Sequence, residues 1–127
     1  MAALTNYGEE KMLRHLFGDL SFTMPASLFV ALHTADPGET GATAEVSGGS
    51  YARQSVAFDW NSGGARVENA GALSYTNMPA GTVSHCSIWD AVSAGNCIAK
   101  GALASPQTLS SGQGLTLAAG ELRITAD

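Results

Sequence analysis

The chain has 127 residues, a formal net charge of −5 at pH 7, and charged side chains at only 13% of its positions. This length predicts a single domain over residues 1–127, large enough to bury a hydrophobic core. Nucleic-acid binding requires clustered cations, so an acidic chain with six Lys and Arg residues argues against it. Abundant small residues, including 15 glycines, favour short strands and turns over a helical bundle.

The N-terminal segment contains the strongest helix signal, from Thr5 to Phe17. Asn6 is a suitable N-cap with Glu9 three residues later, as in a capping box, and Gly18 is a typical helix stop. The apolar positions form a stripe made of Leu13, Leu16 and Phe17, joined by Tyr7 or Met12. Residues 1–18 are therefore predicted to form an N-terminal helix or arm, and the short helix is expected to pack on its own domain or to dock on a partner. This segment has neither the basic flank of a secretory signal nor the length of a membrane span, which predicts assembly in a cytoplasm.

The remaining residues, 27–127, have the pattern of a β-rich fold. Ser27 to Thr34 predicts a strand that is buried on both faces, and Tyr51 to Trp60 alternates apolar and polar side chains. Between them, Ala35 to Ser50 is rich in small polar residues and predicts a long surface loop. Gly81 to Leu103 predicts two strands joined by a tight turn, with apolar groups on both faces. We expect this hairpin to be a central pair that is covered on both sides.

The end of the chain predicts further short strands. Ser105-Pro106 indicates a turn, and strands are expected at Leu115–Leu117 and Leu122–Thr125. About eight strands at roughly ten-residue spacing are typical of an antiparallel sandwich or barrel. The side chains expected to face the core of this mainly β fold are Leu28, Val30, Leu32, Val56, Phe58, Trp60, Ile88, Trp89 and Leu103.

The chain shows no pattern typical of a catalytic site. Ser84 and His85 are consecutive in a predicted strand, so their side chains should point to opposite faces, which argues against a triad with Asp90. His33 and His85 could meet if their strands pair, but a histidine on such a strand is more often hydrogen-bonded within the fold than bound to a metal. We therefore predict a protein that is not an enzyme.

Metal and cofactor sites are not indicated either. The acids Asp36, Glu39 and Glu45 lie in the long loop, but their spacing does not match a calcium loop. Cys86 and Cys97 flank the central turn, and they are expected to be either two buried thiols or a cross-strand disulfide, with thiols favoured in a reducing compartment. We expect no cofactor, no metal and no small-molecule ligand.

Along essentially its whole length the chain resembles a family of small proteins encoded in the structural modules of tailed phages. The most specific parts of the resemblance are LHTADP, EVSGGSYARQ and the hairpin GTVSHCSIWD…GN. Members of this family are often labelled tail-fibre-like, and small β-sandwich proteins of this size and genomic type also serve as capsid cement, or decoration, proteins. The resemblance thus implies a virion structural protein with a jelly-roll-like antiparallel β-sandwich and one short N-terminal helix.

The resemblance implies first a capsid cement protein that binds the outside of the head and bridges capsomers of the major capsid protein. Such a protein is expected to form a homodimer or homotrimer, and to bind neither nucleic acid nor membrane. The alternatives are a tail component, such as a fibre or its adaptor, and a receptor- or sugar-binding module at Trp60-Asn61. Residues expected to contact a partner, chosen for their exposure in the arm and the long loop, are Met1, Leu4, Tyr7, Asp36, Glu39 and Glu45.

Overall fold

The computed structural model describes residues 2–125 and contains one helix and ten strands within them. The elements are β1 (Ala2–Leu4), α1 (Asn6–Phe17), β2 (Leu28–His33), β3 (Gln54–Val56), β4 (Phe58–Asn61), β5 (Arg66–Asn69), β6 (Leu73–Tyr75), β7 (Gly81–Trp89), β8 (Cys97–Leu109), β9 (Leu115–Leu117) and β10 (Arg123–Thr125). The predicted mainly β class with one N-terminal helix is confirmed. No helix within residues 2–125 is long and apolar enough to cross a membrane.

Eight of the strands form one sheet, in the order β3-β2-β7-β8-β1-β10-β5-β4. The two edge strands, β3 and β4, are separated along the chain by Ala57 alone. Because one residue cannot span the width of a flat eight-stranded sheet, the sheet must curl until its edges approach each other. The result is a nearly closed, barrel-like sheet whose two edges are joined along the chain at Ala57.

The first residues of the chain are the main departure from the expected architecture. Ala2 pairs antiparallel with Gly101 in β8 and parallel with Ile124 in β10, so β1 lies in the interior of the large sheet. Residues 2–4 thus belong to the sheet and not to a separate arm, and their parallel pairing with β10 is an exception within a sheet whose other pairings are antiparallel. Three residues were too few to give a strand signal, and the adjacent helix pattern masked them. Met1 lies outside the described residues.

The N-cap of the helix lies one residue earlier than the sequence suggested. Thr5, which is fully buried, is the N-cap: its Oγ1 accepts from Gly8 N–H at 3.2 Å and donates to the Cys97 carbonyl at 2.7 Å. Asn6 is the first helical residue, so the expected capping box is wrong. Thr5 serves as the cap because its backbone N–H also pairs with Ile98 of β8, which holds it at the sheet.

The central hairpin is confirmed as β7 and β8, but β8 is longer than expected. It runs through Ser105-Pro106, where a turn was predicted, and reaches Leu109. His85 pairs with Ala102 and Val83 pairs with Gln107, so four residues of β8 lie opposite the single residue Ser84. Pro106 lies within this bulge, where its missing N–H interrupts no ladder hydrogen bond.

The core lies inside the curled sheet and is completed by the small β6–β9 sheet. Its buried members are Val30, Leu32, Val46, Leu73, Tyr75, Met78, Val83, Cys86, Ile88, Ala99, Leu109, Leu115, Leu117 and Leu122. Of the residues expected in the core, Val30, Leu32, Ile88 and Trp89 are buried, and Leu28, Val56, Phe58 and Leu103 are only partly buried against it.

Trp60 is the expected core residue that the structure contradicts, because 67% of it is exposed. The alternation that predicted it is present: Trp60 pairs with Val67, which pairs with Ile124, and Ile124 packs against the core. However, Trp60 lies near the end of the edge strand β4, where nothing covers that face. Alternation identifies a face of a strand, but it does not show how far the core extends along it.

Candidate interaction surface

The long loop Ala35–Ser50 covers the outer face of the central strands. Trp89 and Cys97 form a small buried cluster there with Ala31, on the side of the sheet opposite the main core. Gly41, with φ of +71°, lies so close that a Cβ at this position would come within 2.7 Å of the Cys97 Sγ. The expectation that the central hairpin is covered on both faces is therefore met, with part of the loop as the outer cover.

Arg53 fixes this cover in place. Its Nε and Nη2 each donate to a different carboxylate oxygen of Glu45, both at 2.9 Å. Its Nη1 donates to the carbonyls of Ala91 and Ala94 in the β7–β8 turn, at 3.1 and 2.9 Å. The guanidinium also lies 3.9 Å from the centre of the Trp89 ring. One side chain thus joins the loop, the turn and the outer cluster.

Glu45 consequently belongs to a structural network and is only partly exposed. Burial acts to raise the pKa of Glu45, but hydrogen bonds from Arg53 and Tyr51 outweigh it and hold that pKa below its usual value. Tyr51 Oη donates to Glu45 Oε2 at 2.8 Å and accepts from Leu32 N–H at 3.0 Å. Arg53 and Glu45 both lie in the EVSGGSYARQ stretch, but their pairing depends on how the loop folds, so the sequence did not reveal it.

The other residues expected to contact a partner are dispersed. Asp36 is exposed and accepts from Lys100 Nζ at 3.0 Å, while Glu39 accepts from Asn6 N–H at 2.7 Å. Both carboxylates therefore attach the loop to neighbouring parts of the same chain. Their role in binding a partner stays a prediction.

Leu4 and Tyr7 are half-buried and lie together, unlike the loop acids. They line an apolar groove beside α1, whose apolar walls also include Met12, Leu16, Phe22 and Ile98. Sequence reasoning named two members of this groove but could not identify the groove itself, because Ile98 comes from β8 and Phe22 from the connector after the helix.

The two histidines considered for a triad or a metal site, His33 and His85, lie within hydrogen-bonding distance of neighbouring groups of the fold. His33 and His85 are paired across β2 and β7, as sequence reasoning allowed. In His33, which is fully buried, Nδ1 lies 2.8 Å from the Thr43 carbonyl and Nε2 lies 2.7 Å from Ser87 Oγ; burial lowers the pKa of this imidazole. His33 is thus a hydrogen-bonded structural residue.

Ser84 and His85 do meet, contrary to the expectation that consecutive strand residues point apart. Ser84 Oγ lies 2.8 Å from His85 Nδ1, because the bulge at Ser84 breaks the alternation. Asp90, the acid of the rejected triad, instead accepts from the backbone and side-chain N–H groups of Asn96 at 2.7 and 3.0 Å. The three residues therefore do not form a triad.

The two cysteines are free and buried, which resolves the alternatives left open for them. Cys86 belongs to the main core and Cys97 to the outer cluster, so they lie on opposite faces of the hairpin. Cys86 pairs with Gly101, whereas Cys97 pairs with Trp89. Burial raises the pKa of each thiol to about 11, which keeps both protonated and unreactive at neutral pH.

The helix presents its apolar stripe to solvent. It packs on the sheet through Gly8, which is buried against Ile98 and Leu4. Residues 2–125 expose six large hydrophobic side chains, and four of these lie between positions 13 and 24. These four define the helix-end patch: Leu13 (52% exposed), Leu16 (63%), Phe17 (82%) and Met24 (81%). The expectation that the helix packs on its own domain is therefore met through Gly8, while Leu13, Leu16 and Phe17 stay exposed and their contact with a partner stays a prediction.

Comparison with known proteins places the chain in a family. Residues 3–125 match the family model described as Podophage GP4 fiber I protein gp80, whereas no curated protein matches the chain. The match supports the virion and fibre parts of the sequence-based expectation, while the capsid-cement role stays a prediction. With nearly its whole length matched, the chain belongs to the podophage fibre I protein gp80 family of phage virion structural proteins.

Proposed function

We propose that this protein is a subunit of the tail-fibre apparatus of a podophage and acts by contact with other virion proteins, without enzymatic activity. The family description, which names a fibre protein, supports this assignment. The observation that carries it is the helix-end patch, because several large apolar side chains exposed within one short segment of a small protein are typical of an interaction site.

The polar side chains inside the fold support a structural role. The hydrogen bonds between Arg53 and Glu45 stabilise the loop that covers the outer face of the sheet. Asn69, which is almost fully buried, donates to the carbonyls of Gly71 and Ala118 and accepts from Leu122 N–H. These groups stabilise the barrel, so we expect function to come from the outer surface.

A capsid cement protein on the outside of the head is the second candidate. The nearly closed barrel favours it, because a compact protein can occupy equivalent positions between capsomers and gain avidity from many copies on the lattice. In this case the partner of the helix-end patch would be the major capsid protein.

Cryo-electron microscopy of intact virions, with this chain fitted into the map, tests the two candidates. A few copies at the tail, with the helix-end patch covered by another chain, would support the fibre assignment. Hundreds of copies bridging capsomers would overturn it in favour of the cement role. If the chain is found nowhere in the virion, both candidates are wrong.

A further inference from the structure

The path that β1 follows between β8 and β10 continues as a cavity. Ala2 pairs with Gly101 on one side and with Ile124 on the other, and both registers can be continued beyond Ala2, away from the helix. The residues reached in this way are Ala102, Leu103 and Ala104 on β8, and Arg123, Leu122 and Glu121 on the other side. All six line one cavity of about 300 Å³. The register of β1 and the lining of the cavity therefore describe the same space, which we call the strand slot.

The strand slot has the width of one strand. Neighbouring strands of a sheet lie about 4.8 Å apart, so β8 and β10, which both pair with β1, lie roughly 10 Å apart across it. This separation is too large for the two strands to pair directly, and it matches the space that an extended chain needs. Three residues of β8, Ala102 to Ala104, line the slot, so its length suits about three residues of such a chain.

The inner and outer sides of the strand slot differ in polarity. Leu103 packs against the main core and Leu122 belongs to it, and the buried Cys86 also lines the cavity there. Glu121 and Arg123, which line the same cavity, are exposed. A strand that enters the slot therefore needs one apolar side chain directed inward, with polar side chains before and after it.

None of the described residues, 2–125, supplies that inward side chain. Ala2 is buried and Ala3 is exposed, so inward positions recur at every second residue of this path. The next inward position beyond Ala2 lies opposite Leu103 and Leu122, one residue upstream of Met1. It is filled either by an upstream segment of the same chain or by a different chain. The family match begins at residue 3, so it gives no support to an upstream segment and favours a different chain.

We propose that an extended segment of another virion protein occupies the strand slot, runs antiparallel to β8 and places one apolar side chain against Leu103 and Leu122. This direction continues that of β1 and gives an antiparallel ladder with β8. Backbone hydrogen bonds supply affinity in this mode of recognition, and alternate side chains supply specificity. The inference rests on the proposed function and deepens it, because it names the chemistry of the segment that is bound.

A short N-terminal extension is the probe for the slot. Ser-Thr-Val placed directly before Met1 puts the valine opposite Leu103 and Leu122. We expect this extension to raise the Tm by at least roughly 4 °C over that of the unextended chain, because the valine side chain becomes buried. Ser-Thr-Asp is the matched control: its carboxylate meets the apolar side of the slot, so it should not raise the Tm. An equal Tm for all three chains would overturn the inference.

A disulfide locates the extension independently of stability. On a Cys86→Ala background, because Cys86 lines the cavity, the extension Ser-Thr-Cys is combined with Leu103→Cys. Mild oxidation should link the two thiols. Thr108→Cys is the matched control, since Thr108 is exposed on the same strand but outside the cavity, and it should stay unlinked. Equal linkage of the two variants would overturn the position of the slot.

Photo-cross-linking in virions identifies the partner. With p-benzoylphenylalanine in place of Ala104, we expect a product with another virion protein, mapped by mass spectrometry to a segment of alternating apolar and polar residues. The same group in place of Thr108 should not give this product. If virions that contain the chain give no such product, or one within this chain only, the inference fails alone. Virions that lack the chain would overturn the proposed function and the inference together.

Discussion

The substitution Gly8→Ala should stabilise the isolated helix but lower the free energy of unfolding of the folded chain. In a helix interior alanine is favoured over glycine by about 1 kcal/mol, so the sequence alone predicts a stabilising change. In the structure Gly8 is the point at which α1 touches the sheet, and a Cβ there would collide with the Ile98 carbonyl oxygen. That oxygen already accepts from Thr5 N–H at 2.9 Å, and Thr5 Oγ1 lies 3.0 Å from it.

The collision should outweigh the gain in helix propensity. The obstacle is backbone on β8, so relief requires the helix to move, and overpacking of this kind costs typically about 1–3 kcal/mol. Moving the helix also weakens the hydrogen bonds of Thr5, whose N-cap interaction contributes about 1 kcal/mol. Combining these terms with the propensity gain, we expect a net destabilisation of about 2 kcal/mol, and a fall in Tm of roughly 6–10 °C.

Urea unfolding followed by tryptophan fluorescence and circular dichroism measures the change. Gly71→Ala is the matched control: a Cβ at Gly71 meets nothing within 4 Å, so this variant should keep nearly the original free energy of unfolding. A Gly8→Ala protein as stable as the unmodified chain, or more stable, would show that α1 does not dock through its glycine face. The exposure of the helix-end patch would then also be in doubt.

Trp89→Ala should lower the free energy of unfolding by about 3–5 kcal/mol, because Trp89 is buried, whereas Trp60→Ala should cost less than about 1 kcal/mol. Similar losses in the two variants by urea unfolding would contradict the exposure of Trp60. The network of Glu45 holds its pKa below the usual value of a glutamate, so its contribution to stability is present above that usual value and is lost as the pH falls through the lowered folded-state pKa. Glu45→Gln should therefore flatten the loss of stability on acidification, and an unchanged pH profile would refute this role. Deleting residues 1–5 should prevent folding, since it removes an interior strand, and a folded deletion variant by circular dichroism would contradict the position of β1.

Sequence patterns located the segments of this fold well where the pattern was local. The α1 helix, the alternation of Tyr51 to Trp60 and the hairpin of β7 and β8 all lie close to their expected positions. Turn residues and apolar periodicity act over a few residues, so they are visible in the sequence. The virion role likewise came from recognisable stretches along the chain, and the family match supports it.

The candidate surface was predicted only in part. The stripe Leu13, Leu16 and Phe17 was identified, but its outward orientation follows from Gly8, whose importance depends on its approach to Ile98, ninety residues later in the chain. A glycine in a helix pattern usually indicates a less stable helix, whereas Gly8 lies on the face of α1 that packs on the sheet. Nothing local could show which side of the helix would meet the sheet.

The sequence by itself determined the secondary structure class, the helix, the central hairpin and the small, acidic, β-rich character of the protein, because these depend on interactions between near neighbours. Only the tertiary structure decided that β1 enters the sheet between β8 and β10, that Ala57 joins its two edges, and that Arg53 fixes the outer cover. Each of these is a contact between distant segments. Such contacts are set by how a curled sheet closes and which surfaces it leaves uncovered, and short sequence patterns do not record either.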